Sequence, residues 1–147
     1  MTYAIDANAP MQRWVTDATA FPRAIPASLR TLIAAGLEQH DGGSYFSATF
    51  KTLDMPIAAR EKFLNTVRLG TLKPVQRLEP GSDFWTYECV AIGLALGAAV
   101  LALDPLARAF VTVDVGDVEY PDAEFWFGRE AVASVVGWER AELVMSS

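Results

Sequence analysis

The stretch "CVAIGLALGAAVLALDP", residues 89–105, decides the fold, because it runs fifteen residues without a charge before it meets Asp104. As a helix, residues 89–103 rise about 22 Å, short of the ~30 Å hydrocarbon core of a bilayer. Extending the span back to Phe84 places Glu88 inside it, where a charge is expensive. The flanks are acidic, with Glu79, Asp83 and Asp104, whereas a membrane span carries Lys and Arg on its cytoplasmic side. A helix that is apolar all round is buried, in lipid or in protein. The spacing therefore predicts a central core helix over about 83–103, with Ser82 or Asp83 as its cap. Gly93 and Gly97 form a G-x-x-x-G that lets a neighbouring helix or sheet approach closely along the Cys89–Gly93–Gly97 line.

Outward from that helix, the remaining segments each show a single apolar face. "NAPMQRWVTDATAF" (8–21) predicts a helix capped by Asn8, with Met11, Trp14, Val15, Ala18 and Phe21 inward. "PASLRTLIAAGLEQHDGG" (26–43) predicts a second helix stopped by Gly42-Gly43. "SYFSATFKT" (44–52) alternates like a half-buried strand. "DMPIAAREKFLNTVRLG" (54–70) predicts a third helix with Ala59, Phe63 and Val67 inward, and "TLKPVQRL" (71–78) an edge strand or loop. "FVTVDV" (110–115) and "AEFWFG" (123–128) alternate as strands, with a bulge or tight turn at Gly116, where the phase flips and Val118 and Tyr120 take over the inward side. "REAVASVVGW" (129–138) predicts a last helix. This order does not alternate as a doubly wound sheet does. The expected fold is a single α+β domain, its central helix packed by amphipathic helices and a small, mostly antiparallel sheet.

Composition narrows the function. The chain has 147 residues, 52% of them hydrophobic, which is enough for one packed domain. Its start shows neither a basic region nor an apolar core of a signal peptide, so a cytoplasmic protein is expected. The net charge of −6 is uneven: residues 1–73 carry eight Lys/Arg against six Asp/Glu, and residues 74–147 four against twelve. The acidic half disfavours nucleic acid, whose phosphates need Lys and Arg, and suits a basic partner.

Catalytic raw material is scarce. The single histidine, His40, reads as a helix-terminal cap beside Asp41 in preference to a general base. The single cysteine, Cys89, has Glu88 beside it and apolar residues after it, and so reads as core and not as a nucleophile. No disulfide, zinc, phosphate-loop or dinucleotide motif is present, and no cofactor or metal is expected. What stands out is "DVGDVEYPDAEFWFG" (114–128). Asp114, Asp117, Glu119, Asp122 and Glu124 place five carboxylates in eleven residues, and the strand phase puts Trp126 on the outward face with Glu124. Their spacing does not fit a calcium loop. An exposed Trp among carboxylates reads as an aromatic anchor with charges that steer a basic protein. These six residues are the candidate partner-binding site.

A small acidic α+β chain of this kind, with an acidic hairpin and an aromatic, resembles the immunity proteins of contact-dependent growth inhibition and related bacterial toxin systems. "FWTYECVA" (84–91) is also similar to the W-x-x-E-x-x-A helix of an immunity family associated with secreted nuclease toxins. The resemblance implies a non-catalytic inhibitor that covers the active site of a cognate, basic toxin domain. Two other readings stay open: an export chaperone for a secreted effector, which requires an exposed apolar groove, and an enzyme with a pocket lined by Trp, Tyr and carboxylates.

Overall fold

A computed structural model describes residues 3–130 and 140–147. The predicted central helix is α5, Asp83–Leu103. The Ser82 hydroxyl accepts from Trp85 N at 3.2 Å, capping its start, and it ends at Asp104. By length and composition it could cross a membrane, yet most of it is buried against the rest of the chain. It lies on one face of a sheet whose strands are β1 (Ala4–Ala7), β4 (Val67–Arg68), β5 (Arg108–Asp114), β6 (Ala123–Gly128) and β7 (Arg140–Ser146), ordered β1-β7-β5-β6-β4. Every neighbouring pair is antiparallel. The fold is α+β, as expected.

The glycines of α5 set the helix-to-sheet distance. A Cβ at Gly93 would lie 2.8 Å from Val111 Cγ2, and one at Gly97 would run into Met145 Sδ with Ala109 Cβ at 3.4 Å. Both side chains would collide with the sheet's inner face, so Gly97→Val is expected to cost about 2 kcal/mol by overpacking. Chemical denaturation checks it: the midpoint falls while far-UV circular dichroism in buffer is unchanged.

That inner face is made by Val111 and Val113 of β5, Ala123, Phe125 and Phe127 of β6, and Leu143 and Met145 of β7, all buried. The predicted phases of 110–115 and 123–128 hold for these residues. The first helix, α1 (Ala9–Ala20), is capped by Asn8 as expected, its Oδ1 accepting from Met11 N at 3.3 Å. The same Oδ1 accepts from Glu142 N, and Asn8 Nδ2 donates to Arg140 O, so the cap also ties α1 to β7. Met11, Trp14 and Ala18 are inward, but Phe21, expected there, is exposed.

Five expectations are corrected. The second helix, α2, spans only Ala27–Ala34, and its stop is Gly36, whose φ of +81° suits a glycine. Residues beyond it form a hairpin, β2 (Leu37–His40) and β3 (Gly43–Phe46), turned by Asp41 and Gly42 with φ of +53° and +86°. Asp-Gly with two positive φ values is a type I′ turn, not a helix terminator. The strand read over 44–52 thus ends at Phe46. The third helix, α3, spans Ile57–Asn65 and turns the opposite face inward: Arg60, Glu61, Leu64 and Asn65 are buried, whereas Phe63 is 62% exposed. The segment 71–78 holds a short helix, α4 (Lys73–Gln76), with Pro74 in its first turn, where a missing N–H costs nothing. Residues 117–120 belong to a loop after a tight turn at Gly116, where φ is +87°. The body of the predicted last helix, 131–138, lies outside the described residues.

Candidate functional site

The acidic segment is a loop between β5 and β6, and its base is clamped. Asp114 N donates to Asp122 O at 2.8 Å, and Asp122 N donates to Asp114 Oδ2 at 2.9 Å. Arg140 Nε reaches Asp114 Oδ1 at 2.6 Å, and Arg68 Nη1 lies 3.6 Å from Asp122 Oδ2. Two of the five carboxylates are therefore neutralised and hold the loop's ends together.

Asp117 and Glu119 project into solvent between those ends and make no ion pair among the described residues. Beside them Tyr120 is 82% exposed, the most exposed large hydrophobic residue among those described. The turn before α5 abuts the same loop: a Cβ at Gly81 would lie 3.3 Å from Pro121. A small cleft lined by Arg13, Trp14, Asp83, Thr86 and Gly116 joins the two, and Asp83 adds a further exposed carboxylate, paired with Arg13 at 3.1 Å.

The other two predicted residues lie elsewhere. Glu124 is half-buried on the outer face of β6, facing an open groove beside α3. Trp126 is only 1% exposed and so is no surface anchor. Its ring stacks on Phe110, its register partner in β5, at 5.2 Å between centroids, and Lys62 Nζ sits 4.5 Å from the ring. The sheet's outer face is covered here, so an outward strand phase does not mean exposure. The structure keeps Asp114, Asp117, Glu119 and Asp122 together in one loop, sets Glu124 and Trp126 apart, and supplies Tyr120 as the aromatic at that loop. Its signal in the sequence was proline at 121, which ends the alternation and turns the preceding residues out of the sheet.

Sequence reasoning also missed a buried polar network around α3. Glu61, fully buried, accepts from the backbone N–H groups of Ser44 (2.9 Å), Arg129 (2.6 Å) and Glu130 (2.8 Å). Burial pushes its pKa up, against the pull of those three hydrogen bonds. Asn65, one turn on, donates to Ser44 O and Phe127 O and accepts from Phe46 N. Arg129 forks onto both oxygens of Asp104 at 3.0 and 3.1 Å. Burial raises the Asp104 pKa, but this fork, the nearby Ser44 side chain and the Leu106 N–H outweigh it and bring it below the ordinary value. The Ser44 hydroxyl makes no hydrogen bond of ordinary geometry among the described residues, so its effect on Asp104 is one of proximity. These groups join α3, the β2–β3 hairpin and the end of β6.

Of the two residues considered for catalysis, Cys89 is fully buried, and desolvation together with Glu88 pushes its thiol pKa up, which disfavours the thiolate. His40 is not at a helix end. It closes β2, stacks on Phe50 with centroids 4.0 Å apart, and lies 3.0 Å from Glu38 Oε1. In "FWTYECVA", Trp85 packs beside Gly70, and Glu88 is bound by Arg23 Nε at 2.7 Å. Both therefore serve the packing of α5. Among the described residues no group of three or more His, Cys, Asp or Glu side chains is placed to hold a metal. Compared with protein families, with curated proteins and with solved structures, the chain matches none.

Proposed function

We propose that the protein is a non-catalytic binding module of the immunity type, which captures and neutralises a basic toxin domain through the 115–121 loop. The observation that carries this reading is the loop itself: Asp117 and Glu119 exposed and without an ion pair among the described residues, Tyr120 standing out between them and Pro121, and the base held by the Asp114–Asp122 clamp. A preorganised loop loses little conformational freedom on binding, an aromatic supplies contact area, and free carboxylates steer a cationic surface. A nuclease toxin presents such a surface because it holds phosphate.

The test is coexpression with the toxin domain encoded beside it. The triple variant Asp117→Lys, Glu119→Lys, Tyr120→Ala is expected to bind at least about 100-fold more weakly and to lose rescue of growth. Its melting temperature should stay within about 2 °C of wild type, since all three side chains are solvent-exposed. Binding should also weaken steeply with salt. Undiminished binding by the triple variant, or lethality that the wild-type protein does not relieve, sinks the reading.

A further inference from the structure

Beside α3 lies an open groove of about 600 Å³. Its helix side carries Ala59, Lys62 and Phe63 of α3, with Met55 from the turn before it; its strand side carries Arg68 of β4 and Glu124 of β6, which are register partners. Three observations distinguish this groove from ordinary solvated surface. Phe63 stands in mid-helix with most of its ring in water. Glu124 is half-buried and makes no ion pair among the described residues, because Arg68 is turned to Asp122. Lys62 is likewise half-buried without a carboxylate partner among them, its ammonium resting over Trp126. Partly desolvated charges of both signs thus face one groove without pairing to each other, an arrangement that costs free energy until something neutralises both.

We propose that this groove binds a small apolar zwitterion, an α-amino acid with an apolar side chain. The α-carboxylate is met by Lys62 and Arg68, the α-ammonium by Glu124, and the side chain lies on Phe63, Ala59 and Met55. The charge set decides the class: an apolar anion leaves Glu124 repelled, and an apolar cation leaves Lys62 and Arg68 repelled. The volume lies in the range of small-ligand sites and exceeds that of a single amino acid, which leaves room for retained water. This site shares Arg68 with the base of the 115–121 loop, through the Arg68–Asp122 pair, but does not rest on the loop's role.

The test is an amide-resolved NMR titration of the whole chain with L-phenylalanine and L-leucine. 3-Phenylpropionate, phenethylamine and L-phenylalaninamide serve as probes that each lack one charge. Saturable shifts at Lys62, Phe63 and Glu124 are expected, with both amino acids binding at least about tenfold more tightly than any single-charge probe. Glu124→Gln, Lys62→Met and Phe63→Ala should each weaken the amino acids by about tenfold, and because all three lie at the groove's surface their spectra otherwise report an intact fold. Absence of saturable shifts up to about 10 mM overturns the proposal. So does equal binding of a single-charge probe, which would make the groove a site for that ion class and not for a zwitterion.

Discussion

Replacing Glu61 with alanine is expected to destabilise the protein by on the order of 4 kcal/mol, the largest effect of any single change outside the hydrophobic core. Three backbone N–H groups converge on its carboxylate from β3 and from the end of β6. Each donor stranded in the interior costs about 1–3 kcal/mol. Gly128 packs directly against Glu61, since a Cβ there would collide with the carboxylate. Glu61→Gln keeps the shape but turns an amide NH₂ towards one of three donors, and about 2–3 kcal/mol of loss is expected. Urea denaturation measures both. Formate or acetate at high concentration should restore part of the stability of Glu61→Ala, since a small carboxylate fills the vacated position, while chloride should not. If Glu61→Ala unfolds at the wild-type midpoint, the network does not contribute as described.

The pH dependence of Glu61→Gln carries a definite sign. The Glu61 pKa is raised in the folded state, so its ionised form supports folding less than its protonated form does. That difference is recovered as pH falls through the folded value, and fully below the ordinary carboxylate value of about 4.3. Wild type should therefore gain stability relative to Glu61→Gln as pH falls from 7 toward that value. The lowered Asp104 pKa acts the other way, its contribution being lost as pH falls through the folded value, but it is common to both proteins and cancels in their difference.

The inverted face of α3 explains where reading from sequence succeeded and where it did not. Helix α5 was legible because its meaning is local: a capping Ser82, fifteen uncharged residues and Asp104-Pro105 leave one interpretation. Strands β5 and β6 were legible because Val111, Val113, Phe125 and Phe127 alternate at period two. In α3 the hydrophobic rule points to Phe63 as inward and is overruled by Glu61 and Asn65, whose partners are backbone groups far along the chain. A polar side chain that satisfies distant backbone leaves no periodic trace. The hairpin at 37–46 is hidden for a different reason: Asp41-Gly42 is a turn signal, but it follows apolar residues at helical spacing that carry the helix pattern up to it. For the candidate site, the segment was legible from its carboxylates and its aromatic residue was not. Tyr120 and Trp126 are both aromatic beside acids, and packing against Phe110, Val144 and Lys62, none of them near in sequence, separates the buried one from the exposed one.

That distinction makes Trp126→Ala the second large prediction. Burial to 1% exposure, a stacked Phe110 and the Lys62 ammonium over the ring mean that truncation opens a cavity between β5, β6 and α3. A loss of about 3–5 kcal/mol is expected, which for a chain of this size lowers the melting temperature by roughly 10 °C. An alanine scan for partner binding would therefore score Trp126 as essential for the wrong reason. Trp126→Phe separates the two roles. It keeps an aromatic ring against Phe110, should cost less than half as much stability as alanine, and should leave partner affinity unchanged, whereas Tyr120→Ala should lose affinity at unchanged stability. If instead Trp126→Phe weakens the complex while its melting temperature stays near that of wild type, Trp126 touches the partner directly, and the contact surface runs across the outer face of β6 and not around the tip of the loop.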